Sequence, residues 1–180
     1  MAFGMDINSN PVESDDICKG LDLVNANCQY THLHDEDFTE VLLRGVDFQF
    51  SDLVGSNFTK VDLEWSQWCG ASLCGVNFSK ANLSRSELSG ADLWGANLSG
   101  ANLTETVCNG ANFEEANLTG ANLTKADLSA TDFVCADLSG AVLIGADFSG
   151  ANLNDAKVAQ AIWDDSTIWP EGFPTPPSGQ

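Results

Sequence analysis

The chain has 180 residues, and its 26 acids against 7 lysines and arginines give a formal net charge of −19, a sign that repels nucleic-acid backbones and anionic membrane surfaces. No apolar run reaches the roughly 18 residues of a transmembrane helix, and the start MAFGMDINSN lacks the basic region and apolar stretch of a secretory signal, so the expected compartment is the cytoplasm. The length suits a single domain, provided the apolar residues are organised to make a core.

Residues 1–20 are irregular and polar and are read as an N-terminal capping segment. From Leu21 to Gln160 the chain then divides into 28 consecutive pentads without insertion, as in ANLSG, ANLTE, ADLSG and ADFSG. The centre of the pentad is Leu in 17 cases and Phe in seven, with Cys, Trp or Val in the rest. The first residue is small, apart from Leu21 and Glu36; the second is commonly Asp or Asn, the fourth Ser or Thr, the fifth Gly. A period of five fits neither the 3.6 of an α-helix nor the 2 of a long strand. Turn residues recurring every five positions leave short extended pieces joined by corners. With the centre and the small first residue both facing inward, each pentad forms one side of a coil, and stacked coils form a solenoid.

This A(D/N)LXX pattern resembles the pentapeptide repeat family over residues 21–160. The resemblance implies an all-β fold, a right-handed quadrilateral β-helix with four pentads per turn. On that basis there are about seven coils, in a rod roughly 34 Å long at a strand spacing of about 4.8 Å. Positions 20 apart should stack, and Leu23, Leu43, Leu63, Leu83, Leu103, Leu123 and Leu143 do share one column. Phe38, Phe58 and Phe78 share another, as do Phe113 and Phe133.

Residues 161–180 lose the pentad signature and bring Trp163, Ile168, Trp169 and Phe173 with four of the five prolines. Open solenoid ends need covering, so this aromatic, proline-rich segment is expected to cover the last coil. It also resembles the ends of cyanobacterial pentapeptide repeat proteins.

Little in the chain points to chemistry. Cys28 and Cys108 are pentad centres, expected in the core four coils apart. Cys69 and Cys74 fall at outward fourth positions, Cys135 at a corner and Cys18 before the repeats, so free thiols are expected, as in a reducing compartment. His32 and His34 flank Leu33 next to Asp35 and Glu36, a conceivable metal-binding surface but more simply a solvated one. There is no nucleophile elbow or phosphate loop, and a rod with a filled core offers no cleft in which to tune a carboxylate. No enzyme activity and no cofactor are expected.

The outer faces carry the remaining signal. One side alternates Asp37, Asn57, Asn77, Asn97, Asn117 and Asp137 with Thr and Ser, a polar face able to satisfy itself. The neighbouring side presents Val54, Cys74, Trp94 and Val134 at the fourth position, interrupted by Glu114 and ended by His34 and Asn154. A contiguous apolar row containing Trp is the kind of patch that marks a protein contact. Trp65, Phe50 and Tyr30 are expected near corners, lying flat over their own coils, with Leu42, Val142 and Ile144 outward on another side.

The preferred reading is a non-enzymatic scaffold that holds a protein partner on the apolar row. Resemblance to family members that mimic DNA and bind DNA gyrase gives an alternative. B-DNA carries a charge per about 1.7 Å, so roughly 20 over such a rod, whereas the repeats hold 19 acids and six bases, net −13. Many second positions are neutral Asn, and Arg44, Lys60, Lys80, Arg85 and Lys125 are read as interrupting the acidic field. The register is unbroken and the end rich in proline, unlike the projecting loops and C-terminal helix that the resemblance associates with gyrase protection. A rod with no specific partner is the third reading.

Overall fold

A computed structural model describes residues 20–175 and 177. The chain is a right-handed four-sided β-helix. Its extended pieces are short, centred on the second position of each pentad, and bridge in parallel to the residue 20 further on, as in Asn82↔Asn102 and Asn102↔Asn122, except between Leu42 and Asp62 and at the C-terminal end. Four series of bridges, beginning at Asp22, Asn27, His32 and Asp37, define sides 1 to 4 in chain order.

The hydrogen bonds between coils repeat along the rod, with a break on side 1 between Leu42 and Asp62. Leu83 N–H donates to Asn102 O (2.8 Å), Asn102 N–H to Ala81 O (2.9 Å) and Arg85 N–H to Thr104 O (2.9 Å). This satisfies the buried backbone groups that a compact chain cannot leave unpaired. Corners close by a bond from the next first residue to the preceding centre, as in Ala101 N–H to Leu98 O (3.0 Å). The fifth residue there has positive φ from Asn25 to Gln160, save Glu40, the geometry of a type II turn and the reason Gly recurs at this position.

First residues and centres fill the interior. Phe38, Phe58 and Phe78 stack at centroid distances of 4.5 and 5.1 Å, and Trp68 meets Phe58 and Phe78 edge-on. Phe113 stacks on Phe133 at 4.9 Å. Where Ser or Thr replaces Ala at the first position, its buried hydroxyl is paired. Ser56 donates to Leu33 O, Ser86 and Ser66 both donate to Leu63 O, and Ser66 accepts the indole N–H of Trp68 at 2.6 Å. Outside, second-position Asp and Asn accept the backbone N–H two residues on, as at Asn97 and Ser99. Asn side chains also link coils, Asn102 Nδ2 donating to Asn82 Oδ1 at 2.9 Å.

The ends depart from expectation in two respects. Bridges Val142↔Ile162 and Asp147↔Ile168 carry the coil past residue 160. Here AIWDD and TIWPE act as further pentads separated by one inserted residue, Ser166, which hid the register from a strict count of five. Trp163 and Trp169 are then centres. Trp169 stacks on Phe148 at 5.4 Å and on Phe173 at 5.3 Å, with Trp163 edge-on to it. Ile168 is 51% exposed, because a second-position side chain points outward. At the other end Leu21, Leu23, Cys28 and Leu33 are only partly buried, correcting the expectation of a buried Cys28: no described coil lies beneath them. The cap expected in residues 1–20, with Cys18, lies outside the described residues apart from Gly20.

Candidate partner-docking face

The four residues of the apolar row occupy side 3 in register. Gly55 N–H donates to Cys74 O (3.0 Å), Gly75 N–H to Trp94 O (2.8 Å), Gly95 N–H to Glu114 O (2.9 Å) and Glu115 N–H to Val134 O (2.9 Å). Val54, Cys74, Trp94, Glu114 and Val134 are therefore successive rungs at about 4.8 Å. Trp94 is 46% exposed and Val54 38%, while Cys74 and Val134 are half-buried. The local cause is the pentad geometry: the fourth residue precedes a positive-φ corner and cannot turn inward, so an apolar residue there is held against water. Asp52, Asp92 and Asp132 at second positions accept the N–H of Val54, Trp94 and Val134, which fixes the backbone of three rungs.

Cys74 Sγ–H donates to Asp92 Oδ2 at 3.1 Å. Partial burial, then this hydrogen bond and the Asp92 charge, push the thiol up to about 11, so it is an unreactive apolar rung and not a nucleophile. Cys108, buried in the core, is pushed up further still by desolvation. The cysteines among the described residues are free.

Sorted by side, the charges separate in a way that a linear reading misses. Arg44, Arg85 and Lys125 lie on side 1, and Lys60, Lys80 and Lys157 on side 4. Side 2 holds Asp47, Glu87, Asp127 and Asp147, and side 3 holds Asp35, Asp52, Asp92, Glu114, Glu115, Asp132 and Asp155, neither side with a lysine or arginine. The cations interrupt the acidic field on sides 1 and 4 and at the corner between sides 1 and 2, where Arg85 and Lys125 stand, and leave side 3 and both its corners clear. Numbering residues modulo 20 would have shown it. The cations on side 1 are in part engaged: Arg44 and Arg85 both bridge to Glu64, Arg85 also to Glu105, and Arg85 sits over the Trp65 ring at 5.4 Å.

The other sequence candidates fall elsewhere. His32 and His34 are exposed at the first coil, with His34 Nδ1 3.8 Å from Asp35, and the described residues contain no group of three or more His, Cys, Asp or Glu able to hold a metal. Tyr30 and Phe50 do not lie flat over their own coils. They stack on each other along the rod at 5.4 Å, and Phe50 extends over Gly70 of the next coil. Leu42 is exposed beside a shallow hollow lined by Val24, Arg44 and Asp62. No helix of the described residues is long and apolar enough to cross a membrane.

The sequence matches the family model for pentapeptide repeats in eight copies, over residues 22–59, 56–95, 96–133 and 121–158. The chain belongs to the pentapeptide repeat family. Among solved members, HetL from the cyanobacterium Nostoc sp. strain PCC 7120, involved in heterocyst differentiation regulation, is 33% identical over 79% of this chain, with TM-score 0.33. The match spans 65% of HetL. The pentapeptide repeat protein alr5209 from Nostoc PCC 7120 is 39% identical over 57% of this chain and 77% of its own, with TM-score 0.34. QnrB1, a plasmid-mediated fluoroquinolone resistance protein, is 15% identical over 82% of this chain and 89% of its own, with TM-score 0.37. No curated protein matches. The pentapeptide repeat rod is a non-enzymatic scaffold architecture, and what distinguishes one rod from another is the chemistry of its outer faces.

Proposed function

We propose that this pentapeptide repeat protein is a non-enzymatic scaffold that holds a protein partner on side 3, with Trp94 as the central contact. The observation that carries this reading is the row itself: Trp94, 46% exposed, follows Val54 and Cys74 on consecutive rungs of one face, with Glu114 and then Val134 on the next two. Tryptophan is enriched among the residues that dominate binding energy, and a preformed sheet face loses little conformational freedom on binding. The test is capture of partners from lysate of the source organism on the wild type and on Trp94→Glu, with folding checked by thermal melting. Scaffold function predicts a partner retained by the wild type and lost from the variant. Identical capture by both would remove side 3 from consideration.

Mimicry of DNA towards gyrase is the second reading, and one observation favours it: sides 2 and 3 are adjacent and hold acids without a lysine or arginine. It predicts inhibition of gyrase supercoiling that fades as salt rises, because exposed charges are screened over about 8–10 Å at physiological ionic strength. No inhibition at low salt rejects it. A rod without a specific partner predicts no specific capture on any variant.

A further inference from the structure

We propose that the occupant of side 3 is a basic amphipathic α-helix of a protein partner, lying along the rod with its apolar ridge on Val54, Cys74, Trp94 and Val134. This rests on the docking reading above and adds the chemistry of what docks. Three observations converge on it. The first is spacing: rungs recur at about 4.8 Å, close to the 5.4 Å pitch of an α-helix, and the five rungs from Val54 to Val134 span about 19 Å, which a helix covers in roughly 13 residues. An extended strand laid the same way would present side chains on one face every 6.6 Å or so and fall out of step.

The second is charge. Side 3 has no lysine or arginine, and its two corners have none either: one is formed by Tyr30, Phe50, Gly70 and neutral residues above them, the other by Asp35, Glu115, Cys135 and Asp155 among glycines. Arg85 and Lys125 stand at the far corner of side 2, and Lys60 and Lys80 at the far corner of side 4, away from the row. A helix with lysine or arginine flanking its ridge meets acid on both borders, with Asp52 and Asp132 to one side and Glu115 to the other. Oδ1 of Asp52 and of Asp132 already accepts a backbone N–H, which orients each carboxylate and leaves Oδ2 for a partner. The third is the interruption: Glu114 sits in the row between Trp94 and Val134. The helix should carry a lysine or arginine in the turn that meets it, since an apolar residue there would desolvate an unpaired carboxylate.

The experiment uses labelled synthetic helices of 15 residues and the full chain, read by fluorescence anisotropy. Two probes carry a leucine ridge with lysine flanks and one ridge arginine, placed to meet Glu114 in either chain direction, and their analogues replace each lysine and arginine with glutamate. One lysine probe should bind at least about tenfold more tightly than its glutamate analogue, weaken with salt, and lose about tenfold or more on Trp94→Glu. Asp52→Asn with Asp132→Asn and Glu115→Gln should weaken it and flatten the salt dependence. Those Asn changes keep the backbone bond, because Asn112 and Asn152 already fill the same position. Equal binding of lysine and glutamate probes, or no effect of neutralising the acids, overturns the proposal. If lysate capture is nevertheless lost on Trp94→Glu, the docking face stands and only the basic helix is wrong. If capture is unchanged on Trp94→Glu, the docking face itself has failed and the helix falls with it.

Discussion

Individual residues in this fold are constrained by the corner and by the filled core. Gly70 has φ +65, and a Cβ there would meet the Phe50 ring at 2.8 Å. Gly70→Ala is therefore expected to cost about 1–3 kcal/mol through strain and displacement of the ring, measurable by chemical denaturation. Ala130 poses the converse case, held at φ 54 where glycine is favoured, and Ala130→Gly should be neutral or stabilise by up to about 1 kcal/mol. Ser66 shows what a buried hydroxyl does: Ser66→Ala would orphan the Trp68 indole N–H and destabilise by about 1–3 kcal/mol. The Cys74 thiol gives a pH dependence. Its folded pKa is raised from an ordinary 9.0 to about 11 by burial and Asp92, so the folded state holds the proton longer than the unfolded one. The stability it contributes is present below pH 9 and lost as pH rises to 11. Alkylation of Cys74 at pH 9 should be slow, and Asp92→Asn should speed it.

At the scale of the pentad and the coil, the sequence was unusually legible, because one residue type per position serves one structural role. From Phe38 to Leu153 the centres and small first residues predicted to face inward are buried, and the Phe38–Phe58–Phe78 and Phe113–Phe133 columns follow from stepping 20 residues. Phe58→Ala, with rings above, below and beside it, should cost about 3–5 kcal/mol. Legibility fails at the ends. The single insertion at Ser166 shifts the bridge to Asp147↔Ile168, and a strict period cannot see a bulge of one residue. The side-by-side distribution of Arg44, Lys60, Lys80, Arg85 and Lys125 was likewise encoded but invisible along the chain, since residues five apart are on different sides and residues 20 apart on the same one. At the C-terminal end, Trp169 stacks between Phe148 and Phe173 while its buried Nε1 has no hydrogen-bond partner among the described residues. Trp169→Phe should thus be close to neutral in melting temperature, whereas Trp169→Ala should lower it and fray the last coil first, as amide exchange would report.

For the whole molecule, the core makes the rod and the surface decides its use. A formal charge of −19 on a narrow rod repels itself, so moderate salt should raise the melting temperature even as it weakens any contact made by the acidic sides. The two effects separate fold from function, because a partner lost at high salt from a more stable rod is lost by screening and not by unfolding. Side 3 combines two features that the other three sides do not among the described residues: a row of apolar rungs and an acidic border without cations. Side 4, with Asn97 donating to Asn77 of the preceding coil and Thr119 donating to Asn117 within its own pentad, is the natural control.

The most direct test places a photo-reactive amino acid at position 94 on side 3 or, as the control, at position 119 on side 4, and cross-links each protein in lysate of the source organism. The account predicts a discrete adduct from position 94 alone, mapping to a lysine- or arginine-rich helical segment of one partner. Equal adducts from both positions, or one from position 119 only, would contradict it.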